Sequence, residues 1–289
     1  MTKFHKTSFL AVFALANALT VSASAQESHT LRLALEAGKT LSVTTVSDTK
    51  MAFTGAVDQE MNTKTTMIQD YKFDQSGEGW WKFDLTTRDF KLDGDATMPG
   101  AASDPSAMIE AVKKVKVGGE VNSVGKARNV KIDGQDSLDP MTKGMIAATI
   151  EYLQQIGFMS IVFPEAPVAV GTKWKTDFDM SKILEANGGG FLTNAKGNVP
   201  IEFEVLGFED VDGKKAAKIQ VFHDGKVTFD STMGGSGTMT TTSKGNLWID
   251  LATGLPLKGD TKLANNIDIG GQFNISQEIS VVTKTELKG

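Results

Sequence analysis

FNISQEISVVTKTELK, residues 273–288, is the stretch whose reading decides the fold class. Phe273, Ile275, Ile279, Val281 and Leu287 share one parity, and Asn274, Ser276, Glu278, Lys284 and Glu286 hold the other. A period of two sends successive side chains to opposite faces of an extended chain, so the stretch reads as one long strand with a single buried face. About 15 residues at roughly 3.3 Å each span on the order of 50 Å. The pattern continues upstream. Leu255, Leu257, Leu263, Ile267 and Ile269 oppose Lys258, Asp260, Lys262 and Asp268. Leu247, Ile249 and Leu251 oppose Asn246, Trp248 and Asp250, and Ile201, Phe203 and Val205 alternate with Glu202 and Glu204.

The N-terminal half repeats the theme. Leu41, Val43, Met51 and Phe53 face away from Ser42, Thr44, Asp48 and Lys50. Met61, Met67, Tyr71 and Phe73 face away from Glu60, Asn62, Lys64, Asp70 and Lys72. Trp81, Phe83 and Leu85 continue it until the alternation slips between Thr87 and Phe90, as a β-bulge would make it do. Turn residues at Gly55, Gly77-Glu78-Gly79, Asp212-Gly213, Gly234-Gly235-Ser236-Gly237 and Thr253-Gly254 separate the runs, which favours hairpins over crossovers. Two helices interrupt the strands. One covers about 105–114, with Ser103 or Asp104 placed to cap it and Pro105 in its first turn. The other covers about 139–155, with Ile146, Ile150 and Leu153 on one stripe. A smaller hairpin is expected over 118–134 and a flexible loop over 186–198.

So much half-buried strand, with so few helices to cover it, points to a mainly β fold. The expected form is a long antiparallel meander curled into a barrel or half-barrel, with one or two short helices as lid or plug. Residues 26–289 form one domain on this reading, with a helical insert at about 103–157. Before it, Lys3 and Lys6 precede an apolar run from Phe9 to Leu19, and Ala23-Ser24-Ala25 supplies the small residues of a signal-peptidase site. Residues 1–25 therefore read as a cleaved export signal. The run is too short for a spanning helix, which needs roughly 20 apolar residues, so the mature protein is expected in the periplasm or secreted and not membrane-spanning.

Composition narrows the chemistry. With no cysteine there is no disulfide framework and no thiolate metal site. A net charge of −5 without a basic cluster argues against nucleic acid as a partner. Only His29 and His223 remain after signal removal, too few for a zinc site, and no cofactor is indicated. Ser123-Val124-Gly125-Lys126 has a serine–lysine spacing but sits in a hairpin without companion motifs. Asp210-Val211-Asp212-Gly213 lacks the closing glutamate of a calcium loop, and Thr238 stands where a nucleophile elbow starting at Gly234 would close on glycine. An enzyme is not expected.

The inward parity carries Met51, Phe53, Met61, Met67 and Met239 beside Thr63, Thr65 and Thr241. Adaptable methionines and small threonines suit a cavity for a flexible apolar molecule, and equally suit an ordinary core in which methionine fills gaps. With the helical stripe of Ile146, Ile150 and Leu153 laid across the mouth, these residues form the candidate lining.

Four segments carry a resemblance: LRLALEAGKTLSVTT (31–45), QEMNTKTTM (59–67), FPEAPVAVGTKWKTDF (163–178) and LWIDLATGLPLKG (247–259). Together they resemble an exported bacterial family of unknown function. The strand pattern is similar to the LolA/LolB-type periplasmic lipoprotein carriers, half-barrels with a helical lid over an apolar cavity. The resemblance implies a binding or carrier protein for a lipid or other apolar molecule and supplies no catalytic residues. The alternative is an envelope module that binds another protein through a strand edge or sheet face.

Overall fold

The structure is a computed structural model that describes residues 27–54, 58–94, 105–134, 140–187, 192–231, 235–270 and 273–288. The expected signal at 1–25 lies outside the described residues, as do Gly55, Ser103, Asp104, Gly188, Gly189, Gly190 and Gly234.

Five strands build the N-terminal half: β2 (Thr40–Thr54), β3 (Gln59–Gly77), β4 (Trp80–Gly94), β5 (Lys116–Asn122) and β6 (Ala127–Asp133). The C-terminal half holds β10 (Ile201–Val211), β11 (Lys214–Ser231), β12 (Ser236–Asp250), β13 (Pro256–Ile269) and β14 (Phe273–Lys288). Each half is a meander of hairpins, and the last strand returns to pair antiparallel with β2 from Asn274↔Thr54 to Lys288↔Thr40. One 12-stranded sheet results, ordered β6-β5-β4-β3-β2-β14-β13-β12-β11-β10-β8, with β8 at Lys173–Thr176 and β9 (Leu192–Lys196) pairing with β11 off that path. Its ends β6 and β8 do not pair, so the fold is a curled half-barrel, mainly β as expected. A second, two-stranded sheet joins β1 (Ser28–His29) to β7 (Val168–Ala169).

The alternation is realised as parity. The buried set on the inner face includes Leu41, Phe73, Phe83, Ile201, Phe203, Ile219, Phe229 and Ile249. The slip expected near Thr87 is a register shift between the pairs Ile68↔Asp89 and Gln69↔Thr87, after which Phe90 and Leu92 carry the inward parity. Helices α1 (Pro105–Lys114) and α2 (Pro140–Ile156) sit where the sequence puts them.

Two inner features close one end. The chain leaving α2 enters the sheet as a 3-10 turn at Phe158–Ser160. The Phe158 ring meets Tyr71 edge-on at 5.2 Å and Phe73 at 5.7 Å. The segment from Leu31 to Leu35 crosses beneath the sheet with its leucines buried. Leu33 donates its N–H to the Ser123 carbonyl and Ala34 donates to the Thr253 carbonyl, 2.7 and 2.8 Å, tying the β5–β6 turn to the β12–β13 turn. Gly254 at that turn has φ +67°, and a Cβ on it would collide with the Arg32 carbonyl. Only glycine accepts both conditions.

Four expectations change. Asp224-Gly225, a pair that reads in sequence as a turn or bulge, is neither: β11 runs through it for 18 residues in unbroken register with β12. The 186–198 stretch is not all loop, because α3 (Met180–Asn187) ends inside it and β9 follows. On β14 the odd residues Ile275, Ile279 and Val281 are half-buried and not buried, and Leu287 is 40% exposed. Finally, α2 packs against the edge strand β6 and against α3, which packs on β9. It stands at the gap between the sheet's two ends, joined through Gln155 to Asp179 just after β8, and its Ile150, Leu153 and Ile156 pack into the core.

Candidate functional site

The packed core is contiguous but does not fill the inner face. It includes Leu41, Val43, Tyr71 and Phe73 at one end of β2 and β3, Leu153 and Ile156 of α2, and Val227, Phe229 and Met239 of the C-terminal half. Ile150 packs against it part-buried. Moving along β2 away from Val43, the inward residues Thr45, Ser47, Thr49, Met51 and Phe53 are only half-buried, as are Met67 on β3, Leu263 on β13 and Ile275 and Ile279 on β14. None of these belongs to the contiguous core. The inner face of β13, β14, β2 and β3 is therefore an uncharged trough of apolar residues, threonines and amides beyond the closed end.

The expected lining is divided by this arrangement. Met51 and Met61 are register partners across β2 and β3, Phe53 lies opposite Ile275, and Met67 lies opposite Thr45. These four line the trough, with Met61 the most covered at 5% exposed. Met239, Ile150 and Leu153 belong instead to the packed region, and the Ile146 side chain lies outside the described residues. Sequence reading missed Asn265 and Gln277. They face each other across β13 and β14, in line with Met51, and their odd parity within apolar runs was the signal that could have found them. Asn265 Nδ2 donates to Gln277 Oε1 at 3.0 Å, while Asn265 Oδ1 is buried with no hydrogen-bond partner.

A cleft of about 400 Å³ opens at this level. Its lining is chiefly of outward parity, with Lys50, Glu60, Asn62 and Glu278 among ten such residues, and Met51, Met61, Asn265 and Gln277 are the four of inward parity. The sheet here is a single layer reached by solvent from both sides.

His29, His223, Trp174 and Trp248 are each held by neighbouring groups. His223 shares the inward parity, and its Nε2 lies 3.1 Å from Thr241 Oγ1. Burial pushes its pKa below the ordinary histidine value, opposed by the charge of Asp224. His29 bonds Glu27 at 2.8 Å and meets the edge of Phe208. Ser123 is in the tight turn that receives Leu33, with no lysine bonded to its hydroxyl among the described contacts. Trp174 stacks on Phe203 and donates to the Val162 carbonyl, whereas Trp248 donates to Glu209 between Lys218 and Lys258. Both tryptophans are packing residues. Among the described residues no three of His, Asp and Glu cluster as metal ligands, and no helix is long and apolar enough to cross a membrane.

No family model and no curated protein sequence matches the chain. Solved structures align over most of it at low identity. Lipovitellin, in a structure described for its lipid–protein interactions, aligns at 10% identity and TM-score 0.43 over 88% of this chain. The chain spans about a quarter of that protein, 25%. A DUF1329 family protein from Desulfovibrio piger aligns at 10% identity and TM-score 0.20, covering 86% of this chain and 85% of its own. Pseudomonas aeruginosa OpdQ aligns at 7% identity and TM-score 0.31, covering 88% and 100%. With TM-scores below 0.5, none of these alignments bears on function.

Proposed function

We propose that this protein is an exported, non-enzymatic binding or carrier protein that holds a lipid or other flexible apolar molecule along the inner trough. The observation that carries this reading is the set of inward apolar residues, Met51, Met67, Leu263, Ile275 and Ile279, that share the core's parity yet stand half-exposed outside it. Apolar surface left uncovered costs about 25 cal/mol per Å², so these half-exposed apolar side chains call for an occupant. Methionine's flexible thioether adapts to a chain without fixed shape. The basic, apolar and small-residue succession at the N-terminus supports export.

Native mass spectrometry of the exported protein, purified without detergent, tests the reading. A co-purifying lipid mass, or saturable binding of an alkyl-chain fluorophore that Met51→Asp abolishes in a folded protein, is expected. A discrete protein mass with no alkyl binding would overturn it in favour of the envelope interaction module.

A further inference from the structure

The trough carries a polar line that the carrier reading does not itself require. Thr241, Asn265, Gln277 and Met51 are successive register partners on β12, β13, β14 and β2, so their inward side chains form one row across the strands. The row on one side holds Met239, Ile267, Ile275 and Phe53, and the row on the other sets Leu263 and Ile279 between Ser243 and Thr49. Register is unbroken from β14 through β2 to β3, and every inward position of β2, β3 and β14 is free of Lys, Arg, Asp and Glu; the same holds along β13 and β12.

Within that uncharged surface, Asn265 Oδ1 is buried without a partner while its own Nδ2 is committed to Gln277. A buried amide oxygen left unpaired is costly, and a ligand donor that reaches it removes the cost. A carboxylate or phosphate on the inner face would meet no lysine or arginine of inward parity, because Lys50 at this level has outward parity. We infer that the trough selects an uncharged amphiphile bearing a hydrogen-bond donor, a hydroxyl or amide N–H, which Asn265 Oδ1 accepts, with Gln277 holding the amide in position. This inference rests on the carrier reading and names its ligand class.

The test is competition against a bound alkyl fluorophore by three molecules of one chain length: a monoacylglycerol, the fatty-acid anion and the fatty-acid methyl ester. The monoacylglycerol should compete at about tenfold lower concentration than either of the others, as one hydrogen bond to a buried acceptor allows. Asn265→Leu, which keeps the side chain's size, should erase that gap and leave the methyl ester's affinity intact. Gln277→Leu should narrow the gap, and it reads the same contact if the first variant does not fold. Equal competition by all three, or a gap that survives in Asn265→Leu, overturns the selectivity and leaves the carrier standing. Failure of every molecule, the fluorophore included, removes both.

Discussion

Gly225 looks like a turn residue beside Asp224, and its real constraint is a neighbour. Its φ is not in the left-handed region, and a Cβ added there would lie 2.5 and 2.8 Å from the two methyl carbons of Val199. Val199 is fully buried and, being β-branched, has little rotamer freedom with which to retreat. Gly225→Ala is expected to destabilise by about 1–3 kcal/mol through overpacking. Gly207, at the register shift of β10, has open space around its Cβ position. There Gly207→Ala should be neutral or stabilise by up to about 1 kcal/mol, because the unfolded chain loses freedom. Urea midpoints of the two variants check this, and equal shifts would refute the close-approach account. A glycine forced by a partner 26 residues away in sequence leaves no local mark, which is why Asp-Gly read as a turn. Asn265 left only its odd parity within an apolar run as a mark, and that its carbonyl is buried without a partner depends on the strands beside it.

At the scale of elements, period two was legible wherever a strand had one face turned to the core. The β4 bulge was legible because a slip in register shifts the apolar parity, as it does at Phe90 and Leu92. The helix at Pro105–Lys114 was legible from Pro105, which suits a first turn. What failed were elements of four to eight residues, β8, β9 and α3, whose existence depends on partners: β9 survives by pairing with Thr228–Ser231 of β11. Alternation also does not report how deeply a face is buried. Ile249 and Ile279 read identically in sequence, yet Ile249 is 0% exposed in the core and Ile279 is half-buried in the trough. An aspartate at Ile249 would be an unpaired buried charge and should unfold the domain. Ile279→Asp keeps access to water and should cost roughly 1–2 kcal/mol, with alkyl binding lost, while Glu278→Lys on the outer face costs about 0.5 kcal/mol or less. Chemical denaturation of the three variants distinguishes a trough from a core; unfolding by both isoleucine variants would mean the inner face is packed throughout.

The whole molecule is a sheet closed at one end and thin at the other. Closure comes from contacts far apart in sequence: the leucines at 31–35 join two hairpin turns, Phe158 fills the space against Tyr71, Phe73 and Phe83, and α2 with α3 stands between the unpaired sheet ends. None of these pairings is encoded in a local period, so a lid across the mouth was the simplest place to put the stripe of α2. Its residues Leu153 and Ile156, 8% and 0% exposed, are core without any ligand. The movable part of the proposed site is therefore sought elsewhere. At the open end of β2 and β14, Met51–Thr54 and Asn274–Gln277 lie next to each other, outside the contiguous core. Few buried apolar contacts mean a low local opening free energy, so amides there should exchange faster than those of β3 and β4 around Phe73 and Phe83. Binding of an alkyl ligand adds the missing apolar contacts at that end and should slow exchange there while leaving α2 unchanged. Hydrogen exchange with and without the ligand reads this directly. Ligand-induced protection in α2, with none in β2 and β14, would restore the helix as a lid and move the binding site away from the trough.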